Sequence, residues 1–150
     1  MRAPPSRAGS PTGVARKVLL DTGFVVALVN AKDADHERCL AVWKTLRARI
    51  FSVEGVLVES AHLLGRVPGG ASHASRLVFE SGAQIAPFTA ERAMRAASLM
   101  AKYHDVPMDF VDALLVTVAE DEDVREVLTL DRRGFLAYRA LGRRPFHVLP

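Results

Sequence analysis

The chain has few of the residues that mark several protein classes. It holds a single cysteine, Cys39, among its 150 residues, which excludes an internal disulfide and a cysteine-rich zinc site. Its longest apolar stretches, such as Phe24 to Val29, are too short to cross a bilayer. The first sixteen residues, MRAPPSRAGSPTGVAR, lack the apolar core of a secretory signal. We therefore expect a cytoplasmic protein with no membrane association.

An excess of one charge is also missing from most of the chain. The net charge of +3 depends on four residues that precede the first acid, namely Arg2, Arg7, Arg16 and Lys17. Residues 18–150 hold 16 basic and 17 acidic side chains. The basic balance alone is therefore weak support for a nucleic-acid partner. One local cluster has five arginines and no acid among them: Arg132, Arg133, Arg139, Arg143 and Arg144. Such clusters are usually solvated surface.

What the chain does contain is typical of one globular domain. Hydrophobic residues make up 49% and charged residues 25%, and the length suffices for a buried core. Residues 1–16 are rich in Pro, Gly and Ser, so we predict a flexible N-terminal arm there. Residues 17–150 are then predicted to form the domain.

Apolar runs of strand length alternate with longer helical patterns along this domain. The predicted strands are KVLL, IFSV, AQIAPF, EVLTL and FHVLP. The predicted helices are FVVALV, ADHERCLAVWKTLRAR, EGVLVESAHLLGRV, SHASRLVFESG, TAERAMRAASLMAKYHDV, MDFVDALLVTVAEDED and RGFLAYRAL. Such regular alternation predicts an α/β sandwich with a largely parallel sheet.

The triplet Asp21-Thr22-Gly23 also occurs in aspartic proteases of the retroviral type. A second element of those enzymes, two apolar residues and a glycine, has a counterpart in Leu63-Leu64-Gly65. Both triplets lie in segments whose apolar spacing is helical, whereas such a protease is almost entirely β. The protease interpretation therefore requires the wrong fold, and a helical circular dichroism spectrum would remove it.

Four carboxylates occupy positions where acids are unusual. Asp21 directly follows the strand KVLL and Asp131 directly follows VLTL, so both face one crevice if those parallel strands are neighbours. Glu59 and Asp112 interrupt apolar helix faces, where an acid is costly unless it is paired, protonated or bound to a metal. Carboxylates without a set of Cys or His ligands favour a hard cation, Mg²⁺ or Mn²⁺.

Each acid also has an ordinary structural interpretation. Asp21 and Asp131 can cap the segments that follow them, and Glu59 can be a solvated helix residue. Asp109 can cap the helix of Asp112, which then becomes an acid of the first turn, favoured by the helix dipole. These alternatives stay open one by one. Together they explain poorly why acids end two strands and interrupt two apolar faces.

The ordered set LLDTGFVVALV, VLVESAHLL, MDFVDALLVTVAE and TLDRRGF resembles the PIN-domain family, in particular the VapC-like toxin ribonucleases of toxin–antitoxin pairs. The resemblance covers nearly the whole chain after residue 16. It implies a three-layer α/β/α sandwich around a mostly parallel sheet and an endoribonuclease that depends on Mg²⁺ or Mn²⁺. It also implies an RNA substrate, frequent homodimers and a small antitoxin that blocks the site.

The resemblance assigns roles to the four acids. Asp21 matches the first acid of the family, Glu59 the second, Asp112 the third and Asp131 the fourth. It implies that Asp21 and Asp112 bind the metal directly, and that Glu59 and Asp131 complete the acidic pocket. Asp109 is an additional acid that caps a helix or orients a metal-bound water.

The resulting hypothesis is hydrolysis of an RNA phosphodiester by a water on the bound ion. The candidates for holding the RNA strand are Arg132, Arg133, Arg143 and Arg144. The competing hypothesis is a PIN-like module that binds RNA or a protein without useful catalysis. The presence of all four acids argues against it, and a metal titration would discriminate the two.

Overall fold

A five-stranded sheet forms the centre of the computed structural model, which describes residues 14–150. The strands of this sheet and of a separate hairpin are β1 (Lys17–Leu20), β2 (Arg49–Val53), β3 (Gln84–Ala86), β4 (Glu126–Leu128), β5 (Arg139–Ala140), β6 (Arg144–Pro145) and β7 (His147–Leu149). The sheet has the order β3–β2–β1–β4–β7, and each pair of neighbours is parallel. Only β5 and β6 pair antiparallel within residues 14–150. The predicted parallel sheet is confirmed.

Helices cover both faces of the sheet. They are α1 (Thr22–Val29), α2 (His36–Thr45), α3 (Glu54–Leu63), α4 (Gly70–Glu80), α5 (Ala90–Lys102), α6 (Phe110–Glu122) and α7 (Arg132–Ala137). Helix α1 packs against α2, α3 and α4, whereas α5 packs against α6. With this strand order, the right-handed rule for parallel crossovers puts the first four helices on one face and the last three on the other. The predicted three-layer α/β/α fold is confirmed.

The central strand explains where a site can form. Val18, Leu19 and Leu20 of β1 are fully buried, as expected for a parallel strand covered on both faces. From β1 the chain moves outward through β2 and β3, then returns to place β4 on the other side of β1. The carboxyl ends of β1 and β4 therefore form a topological switch point, where open α/β sheets bind their ligands.

Four predicted helices extend too far at their C-terminal ends. The predictions EGVLVESAHLLGRV and TAERAMRAASLMAKYHDV run past Leu63 and Lys102, and the other two show the reason. The segment RGFLAYRAL was predicted to be one helix, but α7 ends at Ala137 because Tyr138 adopts an extended backbone (φ −67°, ψ 153°). Its fully buried ring and its hydroxyl bond to the Pro107 carbonyl (2.8 Å) hold it there. The prediction for ADHERCLAVWKTLRAR runs past Thr45, although Leu46 is already extended. Tertiary contacts override helical periodicity at both ends.

Most of the predicted N-terminal arm, residues 1–13, lies outside the described residues. Its last residue, Arg16, donates two hydrogen bonds to the Glu126 carboxylate (2.7 and 2.8 Å). The Arg16 carbonyl accepts from the Arg49 N–H (2.8 Å), so Arg16 lies against the start of the sheet. Within residues 14–150, no helix has the length and apolar character needed to cross a membrane.

Candidate active site

Asp21 lies where β1 passes into α1. Its backbone N–H donates to the Leu128 carbonyl of β4 (3.0 Å), and its Oδ1 accepts from the Thr22 N–H (2.8 Å), which caps α1. Its Oδ2 accepts from the Thr129 hydroxyl (2.6 Å). Only 6% of Asp21 is exposed. The capping interpretation is therefore correct but incomplete, since an N-cap does not require a buried carboxylate.

Thr129 connects Asp21 to Asp131. Its hydroxyl donates to Asp21 and accepts from the Asp131 backbone N–H (3.0 Å). Asp131 caps α7 through an Oδ1 that accepts from the Gly134 N–H (3.0 Å). Because β1 and β4 are neighbours, these two strand-end acids share one edge of the sheet.

Asp112 lies in the first turn of α6. Asp109 Oδ1 accepts from the Asp112 N–H (2.8 Å), and Asp112 Oδ2 accepts from the Asp109 N–H (3.4 Å), which forms a reciprocal capping box. Asp109 is exposed, whereas Asp112 is only 8% exposed. Asp112 is therefore an acid of the first helical turn, as its ordinary structural interpretation states. The same turn also brings its carboxylate into the interior of the protein.

Glu59 approaches from α3, on the opposite face of the sheet from α6. Its Oε2 accepts from the Thr22 hydroxyl (2.7 Å), and Thr22 directly follows Asp21. Glu59 is half-buried. It is therefore anchored beside the start of α1, unlike the freely solvated residue of the alternative interpretation.

The charge of Asp21 is disfavoured by its surroundings. Burial raises the pKa of Asp21 to about 6, and repulsion from Asp109 and Glu59 adds to the effect. The hydrogen bonds from Thr129 and Thr22 act in the opposite direction, because they stabilise the carboxylate. Asp21 therefore stands within electrostatic reach of acids from two other elements.

The pKa of Asp112 is raised further than that of Asp21. Burial raises the pKa of Asp112 to about 8, and repulsion from Asp21, Asp109 and Asp131 contributes. Repulsion thus links Asp112 to Asp21 and Asp131, and Asp21 to Glu59. The capping acid Asp109 joins the same group.

The acids have no cationic partner in the part of the chain that the structure describes. Every ion pair there involves other carboxylates. Nor do three Asp, Glu, His or Cys side chains of residues 14–150 converge closely enough to enclose an ion. A cation here would be held by two carboxylates, not by a protein cage. That donor set fits Mg²⁺, which is commonly bound through one or two carboxylates and keeps several waters.

The arginines after Asp131 do not form one surface. Arg144 donates to the Asp123 carboxylate (2.6 Å), beside the C-terminal end of α6. Asp112 lies 11 residues earlier on that helix, which corresponds to about 16 Å. Arg144 therefore does not hold a strand at these acids. Arg132 and Arg133 are exposed in the first turn of α7 and stay candidates.

Sequence reasoning assigned no function to three hydroxyl groups that contact the acids. A signal was present for two of them, since Thr22 follows Asp21 and Thr129 lies two residues before Asp131. Short polar side chains at strand ends can orient the acids beside them. No such spacing marks Tyr138, whose hydroxyl reaches the site from the end of α7.

Comparison with known proteins agrees with this arrangement. The family model described as the PIN domain matches residues 18–141. Ribonuclease VapC26 of Mycobacterium tuberculosis is 30% identical over 135 residues, which cover 89% of this chain and 100% of the relative. The family match therefore extends over all four predicted acids.

Two solved structures share the fold. One is Mycobacterium tuberculosis VapC20, described as a sarcin–ricin loop cleaving toxin, with a TM-score of 0.70 and 24% identity over 76% of this chain and 89% of that chain. The other is VapBC2 from Rickettsia felis bound to a promoter DNA fragment, with a TM-score of 0.58 and 17% identity over 89% of this chain and 99% of that chain. At these identities, the likeness supports the fold alone.

The resemblance to PIN domains in the sequence motifs thus agrees with the family match, with the relative and with the fold. The acids occupy the carboxyl edge of a parallel sheet, at its switch point. This chain belongs to the PIN-domain family.

Proposed function

We propose that this protein is an endoribonuclease that hydrolyses RNA phosphodiester bonds and depends on Mg²⁺ or Mn²⁺. The observation that carries the proposal is the pair of buried acids, Asp21 and Asp112. A bound cation would stabilise the charged form of both acids, because neither has a basic partner among residues 14–150. Burial raises the pKa of Asp112, and repulsion from Asp21 adds to the effect. Family membership and a relative named as a ribonuclease support RNA as the substrate.

In this proposal, Asp21 and Asp112 hold the cation, and Glu59 and Asp131 complete the acidic pocket. The bound cation supplies an activated water and offsets charge on the phosphate. The chain itself supplies orientation. The Thr129 hydroxyl donates to one oxygen of Asp21 and accepts from the backbone N–H of Asp131. These two bonds fix the position of Asp21 relative to Asp131.

Arg132 and Arg133 are the groups we assign to the RNA backbone. Both are exposed, and both directly follow Asp131, so a strand whose phosphate lies at the acids passes close to them. Positive charge at this rim offsets the repulsion between RNA and the acidic pocket.

We further propose that the protein is a cytoplasmic toxin, that it forms homodimers and that a small antitoxin protein inhibits it. The relatives named as VapC proteins and the solved VapBC2 complex support a protein partner. An apolar recess of about 260 Å³ beside Glu59 also supports it. Its wall includes Val58 and Phe88, which are 63% and 60% exposed. Exposed apolar side chains that line one recess are a feature of surfaces that bind proteins.

The purified protein is expected to cut single-stranded RNA at internal positions in Mn²⁺ and to leave it intact in EDTA, because the buried acids cannot act without a cation. Mapping the ends of labelled RNA checks this, with DNA of the same sequence as a comparison. Cleavage that continues in EDTA would reject metal dependence, and preferential cleavage of DNA would reject RNA as the substrate. Tight Mn²⁺ binding without any cleavage would instead favour a binding module.

A further inference from the structure

Helix α7 carries a residue of the site at each end. Asp131 caps its beginning, and Tyr138 follows its last residue. The Tyr138 ring is fully buried, and its hydroxyl lies 2.8 Å from the Pro107 carbonyl and 3.4 Å from Asp112 Oδ2. Tyr138 therefore reaches from α7 to the acid of a different helix.

Both acceptors of this hydroxyl belong to the beginning of α6. Pro107 lies in the segment that enters the helix, and Asp112 lies in its first turn. A phenol carries one hydrogen to donate, and the shorter distance places that hydrogen mainly toward Pro107. The contact connects the beginning of α6 to the end of α7. It also sets how closely Asp112 Oδ2 can approach the Tyr138 hydroxyl.

The ring that carries the hydroxyl is held firmly. It packs edge-on against Phe135 and against Tyr103, each with ring centroids 5.3 Å apart. Phe135 packs in turn against Phe146 at 5.7 Å. These contacts depend on the ring and not on its hydroxyl, so the two contributions can be separated by mutation.

Gly134 leaves the space that this arrangement needs. A Cβ atom at Gly134 would collide with Asp131 Oδ2 and would lie 2.8 Å from the Tyr138 hydroxyl oxygen and 3.0 Å from its Cζ. Asp131, Gly134 and Tyr138 are thus packed without room for one more methyl group.

We propose that Tyr138 is a positioning residue of the acidic site: its hydroxyl, held by α7, fixes the first turn of α6 so that Asp112 and Asp21 present their carboxylates to one cation. The assignment rests on the proposed function, in which these acids hold Mg²⁺ or Mn²⁺. It extends that function by a group that touches neither the RNA nor the cation.

Tyr138→Phe tests the assignment, because it removes the hydroxyl and keeps the ring. We expect its Mn²⁺ dissociation constant, measured by calorimetry, to rise about tenfold and kcat for RNA cleavage to fall about tenfold, the effect usual for groups that orient metal ligands. The KM for RNA should stay within about twofold of wild type.

Tyr103→Phe is the matched control. It removes the same atom from the same aromatic cluster, but the Tyr103 hydroxyl accepts from the Arg139 N–H (2.9 Å) in place of a contact with an acid. This variant should lose some thermal stability and keep the Mn²⁺ affinity and kcat of the wild type. Wild-type Mn²⁺ affinity in Tyr138→Phe would overturn the proposal, and so would an equal loss in both variants. If the wild-type protein fails to cleave RNA, the proposed function fails, but the Mn²⁺ affinities still decide the role of Tyr138.

Discussion

Replacement of Asp112 by Asn is expected to lower the rate of RNA cleavage by at least about 100-fold, since charge stabilisation by a metal contributes several kcal/mol to such a reaction. The amide keeps the size of the side chain and can still accept from the Asp109 N–H. It cannot provide the negative charge that binds a cation. Single-turnover cleavage of labelled RNA in Mn²⁺ measures the effect.

Asp105→Asn is a matched control for this variant. Its side chain is 86% exposed and, within residues 14–150, pairs only with His104, so the same change of charge occurs on an exposed side chain. This variant should cleave at the wild-type rate. A loss of similar size in both variants would mean that total charge matters and not the site. A fully active Asp112→Asn would remove Asp112 from the proposed metal site.

The metal-free protein is expected to lose stability as the pH rises from about 5 to about 8. Burial raises the pKa of Asp21 to about 6 and that of Asp112 to about 8, from ordinary values of 3.8. The folded state therefore holds its protons to a higher pH than the unfolded state does. The stabilisation is fully present below the unfolded pKa of each acid and is lost as the pH rises through the folded pKa.

Urea denaturation in EDTA at a series of pH values measures this dependence. Asp112→Asn should flatten the upper part of the curve, above about pH 6, because the group that titrates there is gone. Asp105→Asn should follow the wild type. Saturating Mn²⁺ should offset the loss in the wild type, since a cation binds the ionised acids of the folded state. A free energy of unfolding that stays constant or rises over this range would contradict the burial of repelling acids.

The fold was predictable because its signals are local and repeated. The short apolar run Val18 to Leu20 is typical of a strand covered on both faces, and the helical stripes between strands favour crossovers on the two faces of a parallel sheet. Ends of elements were less predictable. Tyr138 ends α7 because its ring fits a buried aromatic cluster, and no pattern within RGFLAYRAL encodes that cluster.

The acids of the proposed site could be selected from the sequence for a similar reason. Strand ends and apolar helix faces are positions where a carboxylate needs an explanation. Helix capping and a place in the acidic site are not exclusive alternatives. Asp21 and Asp112 take part in helix capping, and both are also buried among other acids. Capping fixes the backbone of each residue, and burial with other acids determines its chemistry.

The groups around the acids depend on distances that the sequence does not contain. The arginines after Asp131 are adjacent in sequence, yet Arg144 pairs with Asp123 at the far end of α6. Conversely, the Tyr138 hydroxyl meets Asp112 from 26 positions away. Proximity in sequence therefore wrongly included Arg144 among the groups at the acids and gave no indication of Tyr138.

The most direct test of the metal-dependent site is RNA cleavage by the wild type and by Asp21→Asn, each as a function of Mn²⁺ concentration and each repeated in EDTA. Asp21 is the acid on which the site is built, between β1, α1 and Thr129 of the neighbouring strand end. We predict that only the wild type cleaves, that its rate saturates with Mn²⁺, and that Asp21→Asn stays folded by circular dichroism but inactive. Full activity of Asp21→Asn, or equal activity of the wild type in EDTA, would contradict a metal site built on Asp21.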